Sequence, residues 1–149
     1  MTVQIPLPPS ANRMYRKMRN MMIPHPDYLL WMKLAADIVR EACQEGVGVP
    51  CELHIEIYGG KGFREGSDLD NCLKAICDML TPKEFCGKRY GAGVIEDDNV
   101  TILRHISMTY FERRETWFLD HETEPRVKDL AQVEPRCYIY LKPFTRIPR

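Results

Sequence analysis

Polar and apolar residues alternate without a break over Cys51–Tyr58. Leu53, Ile55 and Ile57 fall on one side, and Glu52, His54, Glu56 and Tyr58 on the other. A period of two describes a strand with one buried face. Shorter alternations predict strands over residues 2–7 (Val3, Ile5, Leu7) and 136–142 (Cys137, Ile139, Leu141). Pro6 and Pro8 restrict the first of these to an edge or a strand end. A fourth strand, 100–111, puts Val100, Ile102, Ile106, Met108 and Tyr110 on one face, and Arg104 interrupts it. Two stretches change to a period of 3.6. From Asp27, placed as a cap, to about Glu45, the residues Leu30, Trp31, Leu34, Ala35, Ile38, Val39, Ala42 and Cys43 form an apolar face. Gly46, Gly48 and Pro50 stop that helix. Over 67–80, Leu69, Cys72, Leu73, Ile76, Cys77 and Leu80 form a second face, with Asp70, Asn71, Lys74 and Asp78 off it.

The predicted order is β-α-β-α-β-β. One mixed sheet covered by two helices makes a single two-layer α+β domain over residues 1–149. Residues 11–26 read as a basic loop with four methionines and Tyr15 interleaved; in one reading the methionines cover the edge of the core. Gly59-Gly60-Lys61-Gly62 reads as a flexible connection and lacks the spacing of a phosphate-binding P-loop. Residues 81–93 are a loop, and 112–135 a charged, irregular excursion in which 127–133 adds a helical turn.

Composition adds bounds. The 149 residues are 44% hydrophobic and 28% charged, in the range of a folded domain with a real core. No apolar run is long enough to span a membrane, and the start of the chain lacks the basic and apolar regions of a signal peptide, so a cytoplasmic protein is expected. Six cysteines without a C-x-x-C pair fit reduced thiols rather than a zinc site. Lys and Arg number 21, as do Asp and Glu. Zero net charge argues against a uniformly basic nucleic-acid binder but permits local patches. Arg13, Arg16, Lys17 and Arg19 form one near the start of the chain, Lys83, Lys88 and Arg89 another. Basic side chains with an aromatic among them suit phosphate contact and base stacking.

The candidate chemistry lies in acid. Asp68 caps the second helix or precedes its cap, Asp70 opens it, and Lys74 follows at i+4, in reach of Asp70. Alone, Asp70, Lys74 and Asp78 are equally an ordinary solvent-facing charge ladder. A second cluster, Glu96-Asp97-Asp98, changes the balance. Several carboxylates brought together repel unless a cation sits among them, and oxygen-only ligands suit Mg²⁺ or Mn²⁺.

Pro8-Pro9-Ser10-Ala11-Asn12-Arg13 followed by Tyr15, Asp68-Leu69-Asp70-Asn71 with Lys74 and Asp78, and the Asp97-Asp98 pair before a strand resemble, in this order, the motifs of RusA-type Holliday junction resolvases. The resemblance spans roughly residues 3–110. It implies a dimeric, Mg²⁺-dependent endonuclease of DNA recombination and repair that cuts four-way junctions, with Mn²⁺ able to substitute. Asp68, Asp70 and either Asp97 or Asp98 would be metal ligands and catalytic carboxylates. Lys74 would be the essential basic residue. Asn12, Arg13 and Tyr15 would lie near the DNA, with Arg16 and Lys17 beside them. The chain departs from the family in its neutral net charge and in the longer 81–93 and 112–135 segments. The alternatives are a branched-DNA-binding or regulatory protein that keeps the fold without catalysis, and a structural subunit with charged helix caps.

Overall fold

The computed structural model describes residues 1–63 and 69–146. Strands β1 (Thr2–Ile5), β4 (Cys51–Tyr58), β7 (Leu103–Phe111) and β8 (Arg136–Pro143) form one mixed sheet in the order β1-β8-β4-β7. Strand β8 runs antiparallel to both β1 and β4, and β4 and β7 are parallel. Parallel neighbours need a crossover. Helix α2 (Asp70–Leu80) lies on that connection, and α1 (Pro26–Ala42) joins β1 to β4. Both helices share a core with the inward residues of the sheet, including Leu53, Ile55, Ile57, Ile139 and Leu141, each at most 1% exposed. The domain is α+β, in the expected order, with a layer of helices on one face of the sheet. Among the described residues, no helix is long and apolar enough to cross a membrane.

Several expectations are corrected. Helix α1 starts two residues early, at Pro26, whose missing N–H costs nothing there, and ends at Ala42, before Glu45. His25 caps it by accepting the Asp27 N–H on Nδ1 at 3.1 Å, so Asp27 lies inside the first turn. Its buried face is Tyr28, Trp31, Met32, Ala35, Ala36 and Val39, while Leu30 and Leu34 are exposed. Two adjacent stripes were apolar. The buried one adds Tyr28, Met32 and Ala36, each 0% exposed, to the shared Trp31, Ala35 and Val39. Strand β7 begins at Leu103, and Val100 lies in an exposed turn. Arg104 is skipped in the pairing, because Cys51 pairs with Leu103 and Glu52 with His105.

Residues 11–26 are not a simple loop. A 3-10 turn (Ala11–Arg13) leads into a hairpin of β2 (Tyr15–Met18) and β3 (Met21–Pro24). Its turn, Arg19-Asn20, lacks the Asn-Gly or Asp-Gly signature of a two-residue hairpin. Met14 alone of the four methionines is buried; Met18, Met21 and Met22 are exposed. A second small hairpin, β5 (Glu84–Phe85) with β6 (Lys88–Arg89), occupies the 81–93 loop, turning at Cys86 and Gly87 with positive φ. Gly59 and Gly60 are buried rather than flexible. A Cβ on Gly60 would lie 2.5 Å from the Val133 carbonyl oxygen, and the Lys61 N–H donates to that oxygen at 2.7 Å. The 112–135 excursion holds two short helices, α3 (Arg113–Phe118) and α4 (Val127–Leu130). A reciprocal Glu112–Glu115 capping box starts α3, and buried Thr116 donates to the Gly59 carbonyl at 2.8 Å.

Candidate active site

Two hydrogen bonds fix the proline-rich segment after β1. The Trp31 indole of α1 donates to the Pro6 carbonyl at 2.9 Å, and the Cys72 thiol of α2 reaches the Pro8 carbonyl at 3.9 Å. Pro6 and Pro8 offer no N–H to a sheet, so the chain leaves β1 here and side chains take up its carbonyls. The segment therefore runs across the first turn of α2. A cleft of about 660 Å³ opens here, and its lining includes Pro8, Pro9, Ser10, Asn12, Arg13 and Tyr15 together with Asn71 and Cys72 of α2. His25, Asp27, Gly62 and Phe63 also line it.

Asp70 is the first residue of α2, exposed at its positive end, and its carboxylate has no hydrogen-bond or cationic partner among the described residues. The helix has no side-chain cap on Leu69. Asp68, expected as cap and ligand, lies outside the described residues.

Lys74 does not pair with Asp70. Its ammonium donates to Asp78, one turn later, at 3.3 and 3.4 Å. Asp78 is not on a solvent-facing ladder. It is 6% exposed, accepts the Tyr28 hydroxyl at 3.0 Å, and has the Lys83 ammonium at 3.7 Å. Burial, then the charge of Asp78, pushes the Tyr28 phenol far above its ordinary value, so it stays a donor. Tyr15 packs its ring 5.8 Å from that of Tyr28 and 6.4 Å from Phe85. Burial raises its pKa, Asp78 adds to the rise and Lys74 opposes it, so its hydroxyl feels the same ion pair. The first motif is thereby held against the second. Sequence reasoning did not single out Tyr28, and it read Asp78 as part of a surface ladder or motif and Lys83 as part of a basic patch, not as partners in one cluster. The only sequence signal was the i+4 spacing of Lys74 and Asp78.

The second acidic cluster follows the 81–93 loop, which folds back along the end of α2. Ala92 and Val94 donate to the Met79 and Leu80 carbonyls at 2.7 and 3.0 Å. A side chain on Gly91 would strike the Thr81 carbonyl, so only glycine allows this return. Asp97 uses both oxygens locally, accepting the Asp98 N–H and the Asn99 amide at 2.8 Å each. The Asn99 amide, then the Asp98 N–H, holds it below the usual carboxylate range. Asp98 is exposed, and its carboxylate has no hydrogen-bond donor or cationic partner among the described residues. Its charge reaches α2: after burial it is the main cause that lifts the Cys77 thiol to about 12. Among the described residues, no three or more Asp, Glu, His or Cys side chains gather into a group that could hold a metal ion. Asp70, Asp97 and Asp98 are thus not brought together by themselves. As a donor set they offer oxygen alone, which fits a hard divalent cation and not a thiolate-seeking one.

Arg13, Arg16, Lys17 and Asn12 are exposed, Arg13 and Asn12 beside the cleft and Arg16 and Lys17 on β2. Buried Cys51, Cys72, Cys77 and Cys137 belong to the core. No protein-family model matches this chain, and no curated protein matches it.

Proposed function

We propose that the chain is a Mg²⁺-dependent, structure-selective endonuclease that hydrolyses phosphodiester bonds in four-way DNA junctions, as a homodimer serving recombination and repair in the cytoplasm. One observation carries this reading. The cleft joins Asn12, Arg13 and Tyr15 to the first turn of the helix that bears Asp70 and Lys74. Those are the two motifs, distant in sequence, that resemble RusA-type resolvases.

In this reading Asp68, Asp70 and Asp98 hold the cation, with Mn²⁺ able to replace Mg²⁺. Asp97 is the less suited of the acidic pair because both its oxygens already accept hydrogen bonds; its part is to fix the backbone of Asp98. A bound cation of this class supplies an acidified water and neutralises charge on the phosphate. Lys74, held from below by Asp78, keeps its ammonium at one place above the helix, where it neutralises a phosphate oxygen. Asn12, Arg13, Arg16 and Lys17 bind the flanking backbone, and Tyr15 offers an aromatic face.

The test is a synthetic four-way junction incubated with the protein with and without Mg²⁺, and a gel shift in EDTA. Paired, Mg²⁺-dependent cuts near the branch point support the reading. Binding without cleavage turns it into the non-catalytic junction binder. Neither binding nor cleavage refutes both.

A further inference from the structure

The hairpin that begins at the cleft-lining Tyr15 carries apolar side chains that the fold does not use. Residues 16–22 are all exposed, and Met18, Met21 and Met22 are 50%, 67% and 65% exposed. The base of the hairpin is anchored. Met14 is 1% exposed, the His25 N–H donates to its carbonyl at 2.8 Å, and Tyr15 packs on Tyr28 and Phe85. A fixed base and a bare tip make a projection, not a lid over the core.

Its charge is one-sided. No acidic residue precedes Asp27, while Arg13, Arg16, Lys17 and Arg19 fall within seven residues. None of these four cations has an acidic partner among the described residues. Met18 pairs with Met21 next to the turn and Lys17 pairs with Met22, so the thioethers gather near the tip with Lys17 and Arg19 on either side of Met18. Arg19, at the turn, adopts φ 54°, a left-handed conformation that glycine or asparagine usually fills. The position carries a cation where a small residue would fold more easily.

We propose that this hairpin is a wedge. Met18, Met21 and Met22 enter the branch point of a four-way junction and unstack its base pairs, while Arg16, Lys17 and Arg19 hold the phosphates on either side. The proposal rests on the junction reading above and adds to it the part of the substrate that is distorted. Flexible apolar side chains flanked by cations suit this task. Wedges of Met, Leu or Phe part base steps, and a branch point is the place in the substrate where stacking is already interrupted. The polyanion accounts for the unpaired cations as no apolar protein surface would.

The experiment uses the full chain in EDTA with a four-way junction carrying 2-aminopurine beside the branch point. A control junction carries it mid-arm. Wild type is expected to raise fluorescence severalfold at the branch point and not in the arm. The variant M18A/M21A/M22A, changed only at exposed positions, is expected to lose that rise at saturating protein, with its junction-over-duplex preference reduced about tenfold. M21A alone, at the most exposed of the three, gives a partial loss and serves if the triple variant folds poorly. R16A/K17A is expected to bind more weakly yet keep the full rise at saturation. A triple methionine variant that retains rise and preference overturns the wedge. So does one whose sole change is loss of dimer in sedimentation, which would make the methionines a protein contact. Wild type that binds and cuts junctions without any rise overturns the wedge alone. Wild type that does not bind junctions overturns the wedge and the junction reading together.

Discussion

Replacing Tyr28 with phenylalanine probes the buried ion cluster on which Lys74 depends. Tyr28 is 0% exposed and Asp78 6% exposed, and the phenol donates to the carboxylate at 3.0 Å. Phenylalanine fills nearly the same volume and leaves no orphaned hydroxyl. The loss is therefore one buried hydrogen bond to a charged acceptor, about 1.5–3 kcal/mol. The remaining partners, Lys74 at 3.3 Å and Lys83 at 3.7 Å, sit on side chains 58% and 34% exposed and recover part of it. The expected cost is about 2 kcal/mol, or about 4–8 °C in Tm for a chain of this length. Paired thermal and urea melts at pH 7 measure it. The raised phenol pKa sets the pH window. The neutral phenol is favoured in the folded state, so its contribution is complete below pH 10 and declines as pH rises above 10. The difference between wild type and Tyr28→Phe should thus hold steady from pH 6 to 9 and shrink in stronger alkali. Asp78→Asn, by contrast, strips Lys74 of its anionic anchor and should reduce junction cleavage more than Tyr28→Phe does at equal melting temperature. A Tyr28→Phe shift under about 1 °C would mean that the hydroxyl does not secure Asp78, and the positioning argument for Lys74 would go with it.

Asp70→Asn should lower Mg²⁺-dependent junction cleavage at least 10²-fold, about 2.7 kcal/mol or more, while gel-shift affinity in EDTA holds or rises because the phosphate meets less negative charge; near-normal cleavage would remove α2 from the active site. Replacing Arg13, Arg16 and Lys17 together with alanine should weaken junction binding and flatten its salt dependence by up to about 0.9 in log–log slope for each phosphate no longer neutralised; an unchanged slope would move the DNA surface elsewhere. Sedimentation of the wild type at micromolar concentration should show a dimer, since paired cuts need two sites related by a two-fold axis; a monomer that still cleaves contradicts this. Burial and then the Glu56 hydrogen bond push the Tyr58 phenol up to about 12, so its share of stability is present below pH 10 and lost as pH rises through 12. Melting curves of wild type and Tyr58→Phe across that window should converge, and parallel curves would contradict the assignment.

Strand β4 shows what periodicity alone determines. Its bounds and its inward residues follow from strict alternation, because every second side chain must share a face wherever the strand is placed. The same holds for β8, and with the two strands for the α+β class and the element order, whereas α2 buries Cys72, Ile76, Cys77 and Leu80 as its period predicts but also Ala75, Asp78 and Met79, which the period left off the face. Where two patterns were equally apolar, local sequence had no vote. Helix α1 could bury either of two stripes that share Trp31, Ala35 and Val39, and the packed structure buries the one with Tyr28, Met32 and Ala36. The hairpin of β2 and β3 left no trace, because its tip packs on nothing and its turn uses Arg19 in place of glycine. The candidate site is divided in the same way. The residue types of Asp70, Lys74, Asp97 and Asp98 suggested carboxylate chemistry, but distinguishing Asp97 from Asp98 required seeing which oxygens were already bonded. Asp78 read as a surface charge, since nothing near it in sequence announces Tyr28, 50 residues away. The cleft itself is a tertiary product. It exists because the Trp31 indole and the Cys72 thiol hold carbonyls that prolines had taken out of the sheet, and such pairings are set by packing between elements, not by the period within any one of them.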